Sequence, residues 1–339
     1  MSHQIQIRNS ELAFRCDAGQ SILDAALQAG IELPYSCRKG SCGNCASDLK
    51  AGEIAALDGM SPRTELCRPG QVLLCACTAA SDVEIAPGSY RRLDPDARKR
   101  FAAKVYSNEL AAPDVSLLRL RLPAGKRAKF QAGQYLLVHL ESGETRSYSM
   151  ANPPHESDGV TLHVRHVPGG QFTALVQRLQ PGDMLDIELP FGSIALQSDD
   201  PRPLVCVAGG TGFAPVKSIL DDLAKRKVQR EISLLWGARQ PAGLYLPAAI
   251  EKWRKAWPGF RYVAALSQPH PEHPEAYPGR IDAALRAHYA SLAGHVLHCC
   301  GSPGMVSAVR IAALEKGLAE QDFHADVFVP NAAAAVPAA

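Results

Sequence analysis

The chain has 339 residues, of which 46% are hydrophobic and 21% charged, and its 36 Lys and Arg nearly balance 34 Asp and Glu. This length predicts two or three domains, and the near-neutral balance argues against a nucleic-acid-binding protein. No apolar run reaches the roughly 18 residues of a membrane span, and the N-terminus lacks a signal peptide's apolar core. We therefore expect a cytoplasmic protein whose ten cysteines are thiols or ligands rather than disulfides.

The N-terminal stretch predicts a small mixed domain. Residues 3–8 and 12–16 alternate apolar and polar positions, which is typical of a β-hairpin. A helix follows, with Ser21 as its N-cap, Asp24 at the capping-box position and Gly30 as its stop signal. A cysteine-rich loop and a last strand near 83–85 complete the predicted domain.

Four cysteines carry the first chemical signal. Cys37, Cys42 and Cys45 have the spacing C-x4-C-x2-C, and Cys75 follows further along the chain. This is the spacing of a plant-type [2Fe–2S] cluster. The loop is rich in small residues, which let backbone N–H groups approach the sulfurs. A zinc site would instead show two close cysteine pairs, and a disulfide framework would need an oxidising compartment.

The stretch 34–45, together with Leu74-Cys75-Ala76-Cys77, closely resembles the cluster loop of plant-type ferredoxins, which have a β-grasp fold. In that family the first cysteine of the exit pair is the fourth ligand, which implies Cys75 and excludes Cys77. Arg38 and Lys39 are interpreted as compensating for the cluster charge or contacting an acidic partner, with a solvated loop face as the alternative. The remaining cysteines are interpreted as small hydrophobic residues: Cys16, Cys67, Cys77, Cys206 and Cys299.

From Phe101 to about Gln197, short strands recur with turn residues between them and predict an antiparallel β-barrel. Residues 146–149 end one strand and offer an arginine fork for a pyrophosphate, a tyrosine ring for stacking and a serine hydroxyl. Residues 169–173 place a glycine pair before a helix, where free N–H groups favour an anion. Together these pieces predict a flavin nucleotide site.

After residue 199, strands and helices alternate, which predicts a doubly wound parallel α/β domain. Ligands bind at the carboxyl ends of the strands in such sheets, and three predicted strand ends carry glycine, at 209–212, 237 and 301. The segment 209–212 does not match the G-x-G-x-x-G dinucleotide fingerprint. Taken alone, it is more typical of a generic turn between a strand and a helix.

In combination, the motifs resemble those of the ferredoxin–NADP reductase superfamily. The matching residues are the flavin motif Arg146, Ser147, Tyr148 and Ser149; the glycine-led helix Gly169, Gly170, Gln171, Phe172 and Thr173; the Gly-Gly-Thr-Gly-x-x-Pro motif Gly209, Gly210, Thr211, Gly212 and Pro215; and the Cys-Gly-x-Pro-x-Met motif Cys300, Gly301, Pro303 and Met305. The resemblance implies that Ser149 holds the flavin N5 edge and that Cys300 helps to bind the nicotinamide. Phe328 is expected to cover the other flavin face, with a core phenylalanine as the alternative. Gly237 and Arg239 complete the expected nucleotide-binding set.

These readings divide the chain into a ferredoxin domain at 1–90, a flavin barrel at 101–198 and a nicotinamide domain at 199–330. A polar, charged stretch at 91–100 is predicted to be a linker, and 331–339 is predicted to be a disordered tail.

This order of domains resembles the one-chain NAD(P)H reductases that supply bacterial oxygenases, and CDP-6-deoxyhexoseen reductases. It implies hydride transfer from NADH to FAD, then single electrons through the cluster to an external acceptor: an oxygenase, a dehydratase or a ferredoxin. The segment 239–245 lacks the basic cluster that a 2′-phosphate requires, which favours NADH, although Arg239 leaves NADPH open. FAD rather than FMN rests on the resemblance. The alternatives are a redox sensor without turnover and an enzyme that reduces its own small substrate at the flavin.

Overall fold

The computed structural model describes residues 2–60, 64–94, 98–193 and 200–329. The described chain forms two compact units. The first contains the described part of 1–97 together with 325–329, and the second contains that of 98–324. The predicted tail and residues 95–97 of the predicted linker lie outside the described residues. Within the described ranges, none of the helices combines the length and the apolar character that crossing a membrane would require.

The first unit is a mixed sheet with one helix. Its elements are β1 (Ser2–Ile7), β2 (Ala13–Asp17), α1 (Ile22–Gln28), β3 (Ile31–Glu32), β4 (Ala46–Ala51), β5 (Ile54–Ala56), β6 (Gln71–Leu73), β7 (Cys77–Ala79), β8 (Val83–Pro87) and β9 (Arg91–Arg92). The main sheet has the order β2-β1-β8-β4-β6, and β3-β9 and β5-β7 form two small ladders. The predicted hairpin is confirmed by the antiparallel pairing of β1 with β2.

Helix α1 begins as predicted. The Ser21 side chain accepts a hydrogen bond of 2.9 Å from the Asp24 backbone N–H, which satisfies one of the free donors of the first turn. The fully buried Ile22 and Leu23 pack into the core, and Gly30 with φ +72° follows the helix. The strand β9 lies inside the stretch predicted to be a linker, and it pairs with β3.

The second unit opens with an antiparallel barrel. Its elements are β10 (Lys99–Ala112), β11 (Val115–Arg121), β12 (Tyr135–His139), β13 (Thr145–Ser149), β14 (Gly159–Arg165), α2 (Gln171–Val176) and β15 (Met184–Phe191). The strand order is β13-β12-β15-β10-β11-β14, and an antiparallel bridge between Met150 and Leu162 joins the two ends. Inward-facing residues such as Val105, Leu118 and Leu162 are fully buried and fill the interior.

The unit continues as a doubly wound α/β sheet. Its elements are β16 (Leu204–Gly209), α3 (Phe213–Lys225), β17 (Ile232–Ala238), α4 (Pro247–Ala256), β18 (Arg261–Leu266), β19 (Tyr277–Pro278), α5 (Ile281–His288), β20 (Val296–Gly301), α6 (Pro303–Glu315) and the first two residues of β21 (Phe323–Val327), whose other residues belong to the first unit. The strand order is β19-β18-β17-β16-β20-β21, and β16 to β20 are parallel. The predicted fold class is confirmed.

The two faces of this sheet carry different helices. Trp236 on β17 is fully buried in one core with Phe213 of α3 and Trp253 of α4. The next residue, Gly237, faces the opposite way, and a Cβ there would lie 3.1 Å from Ile281 of α5. Because β17 and β20 flank β16 on opposite sides, the order of the sheet reverses at β16. Ligands bind at such reversal points.

Candidate functional site

The four predicted cluster cysteines converge in the first unit. The Sγ atoms of Cys45 and Cys75 lie 3.3 Å apart, and both side chains are buried. Their positions come from different elements, because Cys45 directly precedes β4 and Cys75 lies between β6 and β7. The contact between Cys45 and Cys75 is not a disulfide. The sulfur-only donor set fits an iron–sulfur cluster.

The loop backbone is shaped to donate to these sulfurs. Arg38, Gly40 and Gly43 have φ values of +55°, +65° and +83°, which turn the chain sharply around the cysteines. The N–H groups of Lys39 and Ser41 lie 3.4 Å from Cys37 Sγ, and that of Gly40 lies 3.2 Å from Cys75 Sγ. Donors fixed in this way stabilise negative charge on the sulfurs of a bound cluster.

Hydrogen bonds within the loop give the thiols of Cys37 and Cys42 different pKa values. The Cys42 thiol donates to Cys37 and lowers the pKa of Cys37 to about 6, an effect that the backbone N–H groups of Lys39 and Ser41 reinforce. The donating thiol of Cys42 has a pKa well above its usual value because of that hydrogen bond and its burial. Cys77 differs, because burial raises its pKa to about 12, and its side chain lies in β7 beyond the loop. The assignment of Cys75 rather than Cys77 as the fourth ligand remains a prediction.

Arg38 and Lys39 have different surroundings. The Arg38 guanidinium forms an ion pair with Asp24 of α1, so its charge is engaged by the protein itself. Lys39 contributes its backbone N–H to the cysteines. The interpretation that both side chains contact a partner remains a prediction.

The predicted flavin residues come together on the barrel. Arg146 and Tyr148 lie on β13, and the Arg146 Nη2 atom is 3.5 Å from Gln171 Oε1 at the start of α2. The Tyr148 ring lies 5.0 Å from the ring of Phe172, centroid to centroid. Burial raises the pKa of Tyr148, so its hydroxyl stays neutral. The arginine, the ring and the helix start therefore face one region, which fits a flavin nucleotide.

Gly170 is required by its surroundings. A Cβ at Gly170 would lie 2.6 Å from Thr173 Oγ1, and Thr173 Oγ1 itself donates to the carbonyl of Val167 at 2.9 Å. Gly169, with φ +75°, completes the turn into α2. Ser147 points outward and is exposed, while Ser149 is half-buried at the end of β13.

The nicotinamide motifs meet at the carboxyl ends of β16 and β20. A Cβ at Gly209 would lie 2.2 Å from Met305 Sδ, and one at Gly301 would lie 2.8 Å from the same atom. A Cβ at Gly212 would lie 2.1 Å from the carbonyl oxygen of Cys300. The two motifs, which are separate in the sequence, therefore pack against each other. Their glycines have no side chains, so a dinucleotide would be able to approach the backbone closely.

Gly210 lies close to the side chains of Trp236 and Arg165. The Trp236 indole N–H donates to its carbonyl at 3.1 Å, and a Cβ at this position would lie 3.0 Å from Arg165 Nη2. Arg165, which the sequence analysis missed, extends from barrel strand β14 and pairs with Asp114 at 3.0 Å. Its position brings a positive charge to the glycine segment, and no motif in the sequence indicated it. Pro215 lies in the first turn of α3 and is buried.

The remaining predicted residues lie as follows. Cys300 is fully buried at the end of β20, and Pro303 begins α6, where the Ser302 hydroxyl accepts from the Met305 N–H at 3.4 Å. Arg239 is exposed after β17, and Phe328 is half-buried directly after β21. Their predicted contacts with the nucleotides remain predictions.

The sequence matches three family models in the predicted order. Residues 5–80 match a 2Fe-2S iron–sulfur cluster binding domain, 102–196 an oxidoreductase FAD-binding domain and 206–310 an oxidoreductase NAD-binding domain. The predicted cofactors, the [2Fe–2S] cluster, FAD and a nicotinamide nucleotide, are thereby confirmed.

Similar proteins cover nearly the whole chain. Reductase component 2 of terephthalate 1,2-dioxygenase from Comamonas sp. is 71% identical, over 97% of this chain and 98% of the relative. A CDP-6-deoxy-L-threo-D-glycero-4-hexulose-3-dehydrase reductase of Yersinia pseudotuberculosis is 34% identical, over 98% of this chain and all of the relative. The crystal structure of an Amycolatopsis cytochrome P450 reductase superposes with a TM-score of 0.77 at 29% identity, over 97% and 99% of the two chains. The chain therefore belongs to the family of one-chain oxidoreductases that combine a [2Fe–2S] domain with FAD-binding and NAD-binding domains.

Proposed function

We propose that this protein is the reductase component of a ring-hydroxylating dioxygenase and that it delivers electrons from NADH to a separate oxygenase acting on terephthalate or a related aromatic dicarboxylate. The observation that carries the proposal is the 71% identity to a terephthalate dioxygenase reductase component over almost the full length of both chains. The alternative, a dehydratase reductase of deoxysugar synthesis, has support only at 34% identity.

The protein holds three redox groups in fixed surroundings. Cys37, Cys42, Cys45 and Cys75 would ligate the cluster. Arg146 and the start of α2 would bind the flavin phosphates, Tyr148 would stack on the ring, and Ser149 would contact its N5 edge. When bound, FAD takes a hydride and releases its electrons singly, which connects a two-electron donor to a one-electron cluster.

The glycines at 209–212 and 301 would bind the dinucleotide backbone, with Cys300 and Pro303 beside the nicotinamide end. The preference for NADH is supported after β17, where the Gln240 amide donates to Gln268 at 3.0 Å. These neutral side chains offer no charge to a 2′-phosphate, and Arg239 is the basic group nearby in the sequence.

We also propose the domain boundaries of the sequence analysis, at 1–90, 101–198 and 199–330. They are supported by the three family matches, each of which falls inside one predicted domain.

The test separates the cluster ligand Cys75 from its neighbour Cys77. Cys75→Ser is expected to lose the cluster and nearly all NADH-dependent reduction of cytochrome c, a one-electron acceptor, while NADH still bleaches the flavin. The matched variant Cys77→Ser replaces a buried thiol outside the ligand set and is expected to keep both. Retention of the cluster in Cys75→Ser would contradict the ligand assignment.

The acceptor is tested with the purified oxygenase component of a terephthalate dioxygenase, NADH and terephthalate. We expect terephthalate consumption that requires this protein and is lost in Cys75→Ser. Normal cytochrome c reduction without terephthalate consumption would refute the proposed partner while leaving the reductase assignment intact.

A further inference from the structure

The C-terminal segment Ala325–Val329 belongs to the same compact unit as the cluster loop. It is joined to that loop at two points. The Asn44 side-chain amide donates to the Ala325 carbonyl at 2.8 Å, and the Ser36 hydroxyl donates to the Asp326 carboxylate. Ser36 directly precedes Cys37 and Asn44 directly precedes Cys45. Both contacts therefore act immediately beside a predicted cluster ligand.

The contact between Ser36 and Asp326 is shielded from solvent, whereas Asn44 is half-buried. Ser36 is 8% exposed, Asp326 9% and Ala325 1%. Hydrogen bonds in such a low-dielectric region are strong, and a buried polar group that loses its partner is destabilising. The two contacts therefore fix the loop firmly at both ends.

The segment also places a carboxyl group near the cluster ligands. A negative charge beside a redox centre opposes the arrival of an electron, whereas N–H groups that donate to the sulfurs favour it. The loop already supplies such donors at Lys39, Gly40 and Ser41. Asp326 acts in the opposite direction, and Ser36, the residue before Cys37, connects it to the cluster loop.

We propose that Ala325–Val329 is a positioning element of the [2Fe–2S] site, in which Asp326 lowers the reduction potential of the cluster through Ser36 while Asn44 holds the loop against the segment. The inference rests on the proposed assignment of the four cysteine ligands. It assigns a role at the one-electron site to residues that are far from the cysteines in the sequence.

The potential of the cluster is measured by redox titration of the holoprotein, with the EPR signal of the reduced cluster as the readout. Burial raises the pKa of Asp326 to about 6, so the titration is run at pH 8, where the carboxyl group is ionised. Asp326→Asn is expected to raise the midpoint potential of the cluster. Asp326→Glu keeps the charge and is expected to stay near the wild-type value. Glu11→Gln removes one exposed carboxylate from the same unit and serves as the control.

Asn44→Asp replaces the amide donor by an acceptor that repels the Ala325 carbonyl. We expect it to shorten the lifetime of the cluster in the presence of a chelator several-fold, with FAD retained. The inference is overturned if Asp326→Asn and Asn44→Asp both match the wild type and Glu11→Gln, or if Asp326→Asn and Asp326→Glu shift the potential equally. A wild-type protein without a [2Fe–2S] signal would instead refute the ligand assignment.

Discussion

At the residue scale, the two nicotinamide motifs are linked by the contacts of their glycines. Gly209 and Gly301 lie against the same Met305 sulfur, and Gly212 lies against the backbone of Cys300. The spacing between Gly301 and Met305 reflects one turn of α6, which places the sulfur back over the strand ends. The glycines are therefore needed for close approach between elements as well as for contact with a nucleotide.

A set of three alanine substitutions tests this contact. Gly212→Ala would place a Cβ 2.1 Å from a backbone oxygen, so we expect at least a tenfold rise in the KM for NADH or a loss of stability of about 1–3 kcal/mol. Gly301→Ala meets the flexible Met305 side chain at 2.8 Å, and its effect should be smaller. Gly304→Ala, in open space on α6, is the control and should keep the KM for NADH.

The measurements are steady-state kinetics with NADH and the thermal midpoint of each variant. Equal behaviour of Gly212→Ala and Gly304→Ala would show that the close approach at Gly212 does not constrain the site.

The residues of this site were predictable to different degrees. The cysteine spacing, the Arg-Ser-Tyr-Ser stretch and the glycine motifs are local patterns, so their residues could be named from the sequence. Arg165 and Asp326 could not, because each reaches its neighbours through contacts between distant parts of the chain. No spacing rule connects Ser36 with Asp326, which are 290 residues apart.

At the element scale, the barrel strand β14 is joined to the α/β domain by a buried polar contact. His163 Nδ1 lies 2.9 Å from the Tyr245 hydroxyl, and the Tyr245 ring packs edge-on against Trp236 with a centroid separation of 5.3 Å. The Ser218 hydroxyl of α3 adds a second bond, to the Asn152 carbonyl at 2.8 Å. These contacts hold the flavin residues and the nicotinamide motifs in one compact unit.

This contact makes the second unit sensitive to acid. Burial lowers the pKa of His163 to about 3, whereas an unfolded histidine titrates near 6.5. Below about pH 6.5 the unfolded chain binds a proton that the folded chain does not, so stability falls by up to about 1.4 kcal/mol per pH unit. His163→Gln should therefore be less stable at pH 7.5 but lose less stability between pH 6.5 and 5.

Tyr245→Phe is the matched control, because it removes the hydroxyl and keeps the histidine. We expect a loss of about 1–3 kcal/mol with an unchanged pH slope. Urea unfolding, monitored by the release of the flavin, measures both variants. The buried His298 and the half-buried His324 also have lowered pKa values, and they contribute equally to each variant. A His163→Gln protein with the wild-type pH slope would show that His163 does not titrate as described.

Most of the elements that were missed are short. The strands β3, β9 and β19 have two residues each, too few for an alternating pattern to show, although β4, with six residues, was missed as well. The alternation of strands and helices after residue 199 was predictable, because burial on one or both faces fixes the composition of elements such as β16 and α3.

At the scale of the whole molecule, the two units carry sites for redox groups that accept different numbers of electrons. The first unit carries the cluster site, and the second carries the flavin and nicotinamide sites. A nicotinamide delivers electrons in pairs, while a [2Fe–2S] cluster accepts one at a time. The protein can therefore accept more electrons than one NADH supplies only if it binds both FAD and the cluster and electrons pass from the flavin to the cluster.

Anaerobic titration with NADH measures this capacity. FAD accepts two electrons and the cluster one, so full bleaching of the wild type should require about 1.5 equivalents of NADH per chain. Cys75→Ser, which lacks the cluster, should need about one equivalent, and its spectrum should change only in the flavin bands. Flavin and iron–sulfur bands that bleach together in the wild type indicate internal transfer. An endpoint of about one equivalent in the wild type, with the iron–sulfur absorbance unchanged, would mean that the cluster receives no electrons from the flavin.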